Sequence, residues 1–121
     1  MINFIIDAAN EKIIFVIIDN NRSYTTSYSN SRENFDNFMK LLDNFLKKKK
    51  INIKDIQTIF INLGPGKFTS LRISLSIAKA ISLVNSAVLI GFKSQSIINK
   101  DYKNLIKINK NKSLIKPLYS S

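Results

Sequence analysis

The first thirty residues alternate long apolar runs with short polar breaks. Residues 2–7 and 12–19 are mainly apolar and rich in β-branched side chains, as buried strands are. Residues 22–28 alternate polar side chains with Tyr or Thr, which favours a more exposed strand. Because the connections between these segments are short, they predict an antiparallel meander of three strands.

From residue 31 to residue 49, apolar residues recur at spacings of three and four, which predicts an amphipathic helix. Ser31 is its expected N-cap, and the four lysines at 47–50 suit the negative end of the helix dipole. The apolar stripe is wider than contact with one sheet requires, since it comprises Phe35, Phe38, Met39, Leu41, Leu42, Phe45 and Leu46.

The second half of the chain predicts two more strands, at 56–62 and 88–90, separated by a helix at 68–84. A last short helix is expected after Ser94, which resembles an N-cap. The order βββαβαβα predicts an α/β fold, with a mixed five-stranded sheet and helices packed on it, in one domain at residues 1–98. Residues 99–121 are predicted as a basic polar tail, for which the sequence leaves order or disorder open.

The composition narrows the chemistry that the chain can perform. It contains no Cys and no His, which excludes a disulfide framework, a Cys nucleophile and a Ser-His-Asp triad within these 121 residues. No apolar run approaches the roughly 18 residues of a membrane span, and the N-terminal sequence does not resemble a signal peptide. We therefore expect a cytoplasmic protein with no membrane contact.

The net charge of +11 comes mainly from lysine, which outnumbers arginine by 16 to 3. A bias toward Lys, Asn and Ile is also what an A+T-rich genome imposes through its codons, so the charge alone is a weak indication of function. The Lys-rich tail leaves open a role as a basic RNA-binding module.

The most informative segment joins the fourth predicted strand to the helix at 68–84. It reads Asn-Leu-Gly-Pro-Gly-Lys-Phe-Thr-Ser-Leu-Arg-Ile over residues 62–73. Its glycines permit close backbone approach, and its amides precede a helix N-terminus, where an anion can bind. It is not a Walker A loop, because Ile61 and Phe68 stand where that motif needs Gly and Ser or Thr.

This segment resembles the glycine-proline signature of the TsaB (YeaZ) family. The strand end at residues 6–9 (Ile-Asp-Ala-Ala) and the segment at residues 90–94 (Ile-Gly-Phe-Lys-Ser) are similar to the family's first and fifth strands. The resemblance covers residues 2–98 and implies a ribonuclease H-like fold of the actin-like ASKHA superfamily. It also implies a degenerate nucleotide site, with no metal, cofactor or catalytic residue, at Asp7, Gly64, Pro65, Gly66 and Thr69.

The resemblance implies a non-catalytic scaffold subunit of the machinery that makes threonylcarbamoyladenosine on tRNA. Its expected partner is the catalytic subunit TsaD, in a heterodimer formed by the first two helices of each protein. TsaE is a further candidate partner, and so is a second copy of the chain when TsaD is absent. The chain would contact tRNA indirectly, through the complex. The predicted partner-binding residues are Phe35, Phe38, Met39, Leu42, Ser70, Ser74 and Ala78.

That assignment treats the helix at 68–84 as having two faces. Ile73, Ile77, Ile81 and Val84 are expected to pack on the sheet. A ridge of small residues, with Ser74 at its centre, is expected to accept a helix from the partner or from the chain itself.

Two further features of the sequence bear on function. Family members usually carry a second, similar domain, so the chain is expected to be a short form with the N-terminal domain alone. An alternative function is a small actin-like-fold phosphotransferase that uses Asp7 and the loop at 64–66.

Overall fold

The structure is a computed structural model, and it describes residues 1–20, 22–96 and 101–109. A five-stranded sheet with the strand order β3-β2-β1-β4-β5 lies at its centre. Three strands form the antiparallel meander, namely β1 (Ile2–Asp7), β2 (Lys12–Asp19) and β3 (Arg22–Ser29). Two more, β4 (Ile56–Asn62) and β5 (Val88–Phe92), run parallel to β1. The predicted mixed sheet is therefore confirmed.

Four α-helices connect or cover the strands: α1 (Arg32–Asp36), α2 (Phe38–Lys48), α3 (Phe68–Asn85) and α4 (Lys103–Asn109). Short 3₁₀ turns precede β4 at Ile53–Asp55 and follow β5 at Ser94–Ser96. The last of these turns stands where a short helix was expected after Ser94.

The predicted helix at 31–49 is broken into α1 and α2 at Asn37. The Ser31 side chain accepts a hydrogen bond from the Asn34 amide, as expected of an N-cap. The Asn37 side chain then donates to the Glu33 carbonyl at 2.9 Å, and its backbone has a φ of −110°. Asparagine competes in this way with the helix's own hydrogen bonds, which explains the break that the apolar spacing did not reveal.

Alternation along the central strands produces an apolar layer on each face of the sheet. In β1, Phe4 and Ile6 belong to the core under α2 and α3, whereas Ile5 belongs to the core on the opposite face. Phe15 lies at the centre of the first core, where its ring centroid is 5.3 Å from that of Phe38. Burial on both faces explains why β1 and β2 read as continuous apolar runs.

Helix α3 packs on the sheet with a face next to the one expected from the sequence, and of the four residues expected there only Ile81 is fully in the core. Ser70, Ser74 and Ala78 are fully buried against the sheet, whereas Val84, which was expected to face the sheet, is 81% exposed. Small side chains allow the helix axis to approach the strands closely. The buried Ser74 hydroxyl donates to the Leu71 carbonyl at 3.0 Å, which offsets the cost of burying it.

Helix α4 covers the second face of the sheet. Tyr102 and Leu105 are buried there with Phe60 and Phe92. Part of the segment predicted as a tail, at residues 101–109, is therefore packed on the domain, and residues 110–121 lie outside the described part of the chain.

Candidate functional site

A polar cluster lies where β1 and β4 end. Because these strands are parallel, their carboxyl ends meet at one edge of the sheet and bring Asp7 next to Asn62. The Asn62 side chain donates to Asp7 Oδ1 at 2.8 Å. Its own oxygen accepts from the Gly64 amide at 2.7 Å and from the Ser94 hydroxyl at 3.3 Å. The end of β4 therefore fixes both the carboxylate and the start of the following loop.

Tyr102 contacts this cluster from the face of the sheet that α4 covers. Its hydroxyl donates to Asp7 Oδ2 at 2.5 Å, and the two residues are only 5% and 3% exposed. Burial, together with the hydrogen bond to the Asp7 carboxylate, raises the pKa of the Tyr102 phenol well above its usual value. The phenol thus stays protonated as a donor, and both carboxylate oxygens of Asp7 are engaged within the chain.

The loop after β4 lies tightly against the turn after β1. Gly64 has a φ of +98°, and the Gly64–Pro65 peptide bond is cis. A Cβ at Gly66 would lie 2.1 Å from the Ala9 carbonyl oxygen, so glycine is required there by lack of space. The Lys67 amide donates to the same carbonyl at 2.8 Å. The glycine-proline string thus holds two loops together.

A second buried network connects this region to α3. The Asn30 side-chain amide donates to the Ala8 carbonyl at 3.1 Å and to the Ser70 hydroxyl at 3.0 Å. The Ser70 hydroxyl itself donates to the Ala8 carbonyl at 2.7 Å. Sequence reasoning did not identify Asn30 or Tyr102, because neither lies in a motif and each acts through contacts distant along the chain.

The residues of the predicted degenerate nucleotide site are not arranged as one open site. Asp7 and Gly64 are buried, whereas Pro65, Gly66 and Thr69 are exposed at the start of α3. The loop brings them near one another, but hydrogen bonds within the chain occupy the carboxylate.

The structure places most of the predicted partner-binding residues in the interior of the domain. Five of the seven are buried in the core and offer no surface, namely Phe38, Leu42, Ser70, Ser74 and Ala78. Phe35 is half-buried and Met39 is 45% exposed. The physical reason is that the small-residue ridge of α3 packs on the sheet and α2 buries its stripe against Phe15 and its neighbours.

An apolar surface is instead exposed on the outer side of α2 and α3. Phe68 is 71% exposed and Val84 is 81% exposed, with Leu83 nearby at 76%. Two shallow concavities, of about 400 and about 190 Å³, share Ile77 in their linings. We call this the α2–α3 surface and define it as Met39, Phe68, Ile73, Ile77, Ala80 and Val84. Arg72 lies over the Phe68 ring, with its guanidinium carbon 5.3 Å from the ring centroid.

The described residues form neither a metal-binding cluster nor a membrane-spanning helix. Within residues 1–20, 22–96 and 101–109, no group of three or more His, Cys, Asp and Glu side chains could hold a metal ion. No helix in the same ranges combines the length and apolarity that a membrane span needs.

Comparison with known proteins identifies related sequences. The family model for TsaD, tRNA N6-adenosine threonylcarbamoyltransferase, matches residues 22–100. The chain is 32% identical over 75 residues to the tRNA threonylcarbamoyladenosine biosynthesis protein TsaB of Buchnera aphidicola subsp. Schizaphis graminum. It is 40% identical over 60 residues to the tRNA N6-adenosine threonylcarbamoyltransferase of Persephonella marina.

These alignments cover 62% and 50% of this chain. They cover 36% of the TsaB relative and 17% of the threonylcarbamoyltransferase, so the chain matches only a part of each.

Solved structures share the fold at low sequence identity. YeaZ from Pseudomonas aeruginosa superposes with a TM-score of 0.73 at 13% identity, covering 85% of this chain and 48% of YeaZ. RuvC of Thermus thermophilus superposes with a TM-score of 0.54 at 9% identity, over 98% of this chain and 84% of RuvC. The ribonuclease H-like arrangement predicted from the sequence is thereby confirmed.

Proposed function

Because this chain belongs to the TsaD family and is TsaB/YeaZ-like within it, we propose that it is a non-catalytic subunit that binds TsaD in the biosynthesis of threonylcarbamoyladenosine on tRNA. This role implies that the chain works in the cytoplasm, where it meets tRNA as part of a complex.

The observation that carries the proposal is the α2–α3 surface. Phe68 and Val84 are more than two-thirds exposed and lie on one helix with the half-buried Ile73 and Ile77. Burying a single large apolar side chain stabilises a contact by about 1.5–3 kcal/mol. Contiguous exposed apolar surfaces of this kind mark sites of protein–protein contact. The outer faces of α2 and α3 therefore supply the interface in place of the buried residues first assigned to it.

The polar cluster of Asp7, Asn62 and Tyr102, which we call the strand-end cluster, supports a non-catalytic role. A carboxylate that acts on a phosphate or a metal must be accessible, but Tyr102 and Asn62 occupy both oxygens of Asp7. The sequence also has no His or Cys that could act as a general base or nucleophile. These features favour a supporting subunit over the alternative of a phosphotransferase.

The test is co-purification of the chain with TsaD from the same organism. Val84→Glu and Phe68→Glu each place a charge at a well-exposed position of the α2–α3 surface, where burial against a partner would be costly. Thr25→Glu, on the exposed side of β3, is the matched control. We expect the wild type and Thr25→Glu to form a stable complex that stimulates threonylcarbamoyl transfer by TsaD. We expect both surface variants to lose the complex while remaining folded.

The results of this experiment distinguish binding of TsaD at the α2–α3 surface from binding elsewhere and from no binding. A complex that survives both surface substitutions would show that TsaD binds elsewhere. A wild-type chain that neither binds TsaD nor stimulates transfer would refute the proposed function. Light scattering on the chain alone tests the homodimer through the same surface, and adding TsaE to the purified complex tests the third component.

A further inference from the structure

A group of exposed lysines lies at the end of the sheet opposite the strand-end cluster. Helix α2 ends at Lys48, and the chain then enters the amino end of β4, whereas Asp7 lies at the carboxyl ends of the parallel strands. Residues 43–55 contain five lysines and two aspartates. All five lysines are exposed, and we call them the lysine corner: Lys47, Lys48, Lys49, Lys50 and Lys54.

The charge of the lysine corner is largely uncompensated. Lys47 pairs with Asp43, with 3.0 Å between its Nζ and a carboxylate oxygen. In the part of the chain that the structure describes, no carboxylate lies within 4.0 Å of Lys48, Lys49 or Lys50. These ammonium groups are therefore available to an anionic ligand.

The basic surface continues onto the edge strand β3. Lys49 Nζ lies 5.1 Å from the centroid of the Tyr24 ring. Arg22 is two residues before Tyr24 on the same strand, so it projects from the same face of the sheet, and it is exposed. An arginine and a half-buried aromatic ring thus lie beside the lysines, as in many surfaces that contact nucleic acid.

The backbone holds the lysines in a defined turn. The Lys50 amide donates to the Lys47 carbonyl at 3.0 Å, and the Ile51 amide donates to the Leu46 carbonyl at 2.9 Å. These two bonds form a Schellman motif, in which Lys50 adopts a φ of +58°. Glycine is favoured at this position because a Cβ is strained there. The chain therefore has a charged side chain where glycine would be more stable.

We propose that the lysine corner binds the phosphate backbone of RNA. An RNA strand presents a closely spaced row of phosphates, and adjacent lysines bind it by neutralising several of them and releasing counterions. The identification of this RNA as tRNA rests on the proposed function, whereas the electrostatic argument for RNA binding is independent of it. Ile53, beside Lys54, lines one concavity of the α2–α3 surface, so RNA at the corner would lie next to a protein on that surface.

The experiment measures binding of the purified chain to a fluorescently labelled, unmodified tRNA transcript across a series of salt concentrations. The test variant carries Lys48→Ser, Lys49→Ser and Lys50→Gly together. The control variant carries Lys12→Ser, Lys40→Ser and Lys103→Ser, which removes the same charge from exposed positions elsewhere. We expect the test variant to lose at least tenfold in affinity and the slope of log K against log salt to decrease by about 2 to 3.

Several outcomes would overturn the proposal. Equal losses in the test and control variants would mean that net charge, not the corner, attracts RNA. A wild-type chain that shows no binding to tRNA would refute it directly. Competition by polyglutamate as effective as that by unlabelled tRNA would show a general polyanion surface, not an RNA site.

Lys50→Gly alone separates binding from folding. Removing the strained Cβ should raise Tm by about 2–6 °C, while the lost charge should weaken tRNA binding about two- to threefold. Loss of binding in a variant of higher Tm cannot be caused by unfolding. Binding of the triple variant to TsaD should be unchanged, so a failure of the RNA proposal is distinguishable from a failure of the proposed function.

Discussion

At the residue scale, the hydrogen bond between Tyr102 and Asp7 is the contact through which α4 determines the state of the strand-end cluster. Tyr102→Phe removes the donor and leaves a buried carboxylate oxygen without a partner. We expect the free energy of unfolding at neutral pH to fall by about 1–3 kcal/mol, as measured by urea denaturation. Tyr28→Phe is the control, since the half-buried Tyr28 ring packs on Phe15 through its apolar body and the change should cost less than about 0.5 kcal/mol.

The same pair predicts a dependence of stability on pH. The pKa of Tyr102 is raised in the folded state, so folded Tyr102 holds its proton more strongly than the unfolded chain does. Its contribution is fully present below the unfolded pKa of about 10 and is lost as the pH rises above that value. The difference in unfolding free energy between wild type and Tyr102→Phe should therefore be constant at neutral pH and shrink above about pH 10. A constant difference throughout would contradict the raised pKa.

At the element scale, the bounds of helix α3 could be predicted from the sequence, but the face that it packs on the sheet could be predicted only in part. Its bounds were predicted within one residue at each end, because its apolar residues recur with helical spacing and a loop precedes it. Its orientation was predicted only in part: Ile81 is buried as expected, but Val84 is exposed, because large apolar side chains alone were taken to mark the buried face. Ser70 and Ser74 are buried because their hydroxyls find carbonyl acceptors nearby, which the sequence pattern does not reveal.

The orientation of α3 makes a testable prediction from two matched substitutions. Ser74→Trp forces a large ring into a fully buried position and should lower the free energy of unfolding by more than about 2 kcal/mol or prevent folding. Val84→Trp places the same ring on the exposed side and should change stability by less than about 0.5 kcal/mol. Thermal unfolding monitored by circular dichroism measures both. Equal effects at the two positions would show that α3 does not pack as described.

For the other elements too, features set by local sequence could be predicted, whereas features set by long-range contacts could not. The five strands were predictable, because each is a short β-branched or alternating segment bounded by turn residues. The break at Asn37 depends on a single side-chain hydrogen bond, which apolar spacing does not encode. The packing of Tyr102 on the sheet brings together residues 95 positions apart, and no local pattern in the sequence predicts it. Accordingly, the glycine-proline motif around Gly64 could be recognised from the sequence. The hydrogen bonds that occupy the neighbouring Asp7 carboxylate could not be predicted from it.

At the scale of the whole molecule, the features with functional implications lie in three separate places. The strand-end cluster lies at the carboxyl ends of β1 and β4, and the lysine corner lies at their amino ends. The α2–α3 surface runs along the helices between these two ends. The proposed protein partner and the proposed RNA would therefore not compete for one surface, whereas a phosphotransferase would need a nucleotide at the strand-end cluster.

The phosphotransferase alternative is therefore decided by nucleotide binding. A ligand that binds only the folded chain raises its stability by RT ln(1 + [L]/Kd), which is about 2.7 kcal/mol when the ligand is present at 100 times its Kd. We expect millimolar ATP with Mg²⁺ to leave Tm of the wild type unchanged, because Asp7 is already bonded to Tyr102 and Asn62. The same Tm measurement on Tyr102→Phe is the comparison, since this substitution frees one oxygen of the Asp7 carboxylate. An upward shift in the wild type would favour the enzyme, and a shift in Tyr102→Phe alone would show that closure by α4 is what prevents binding.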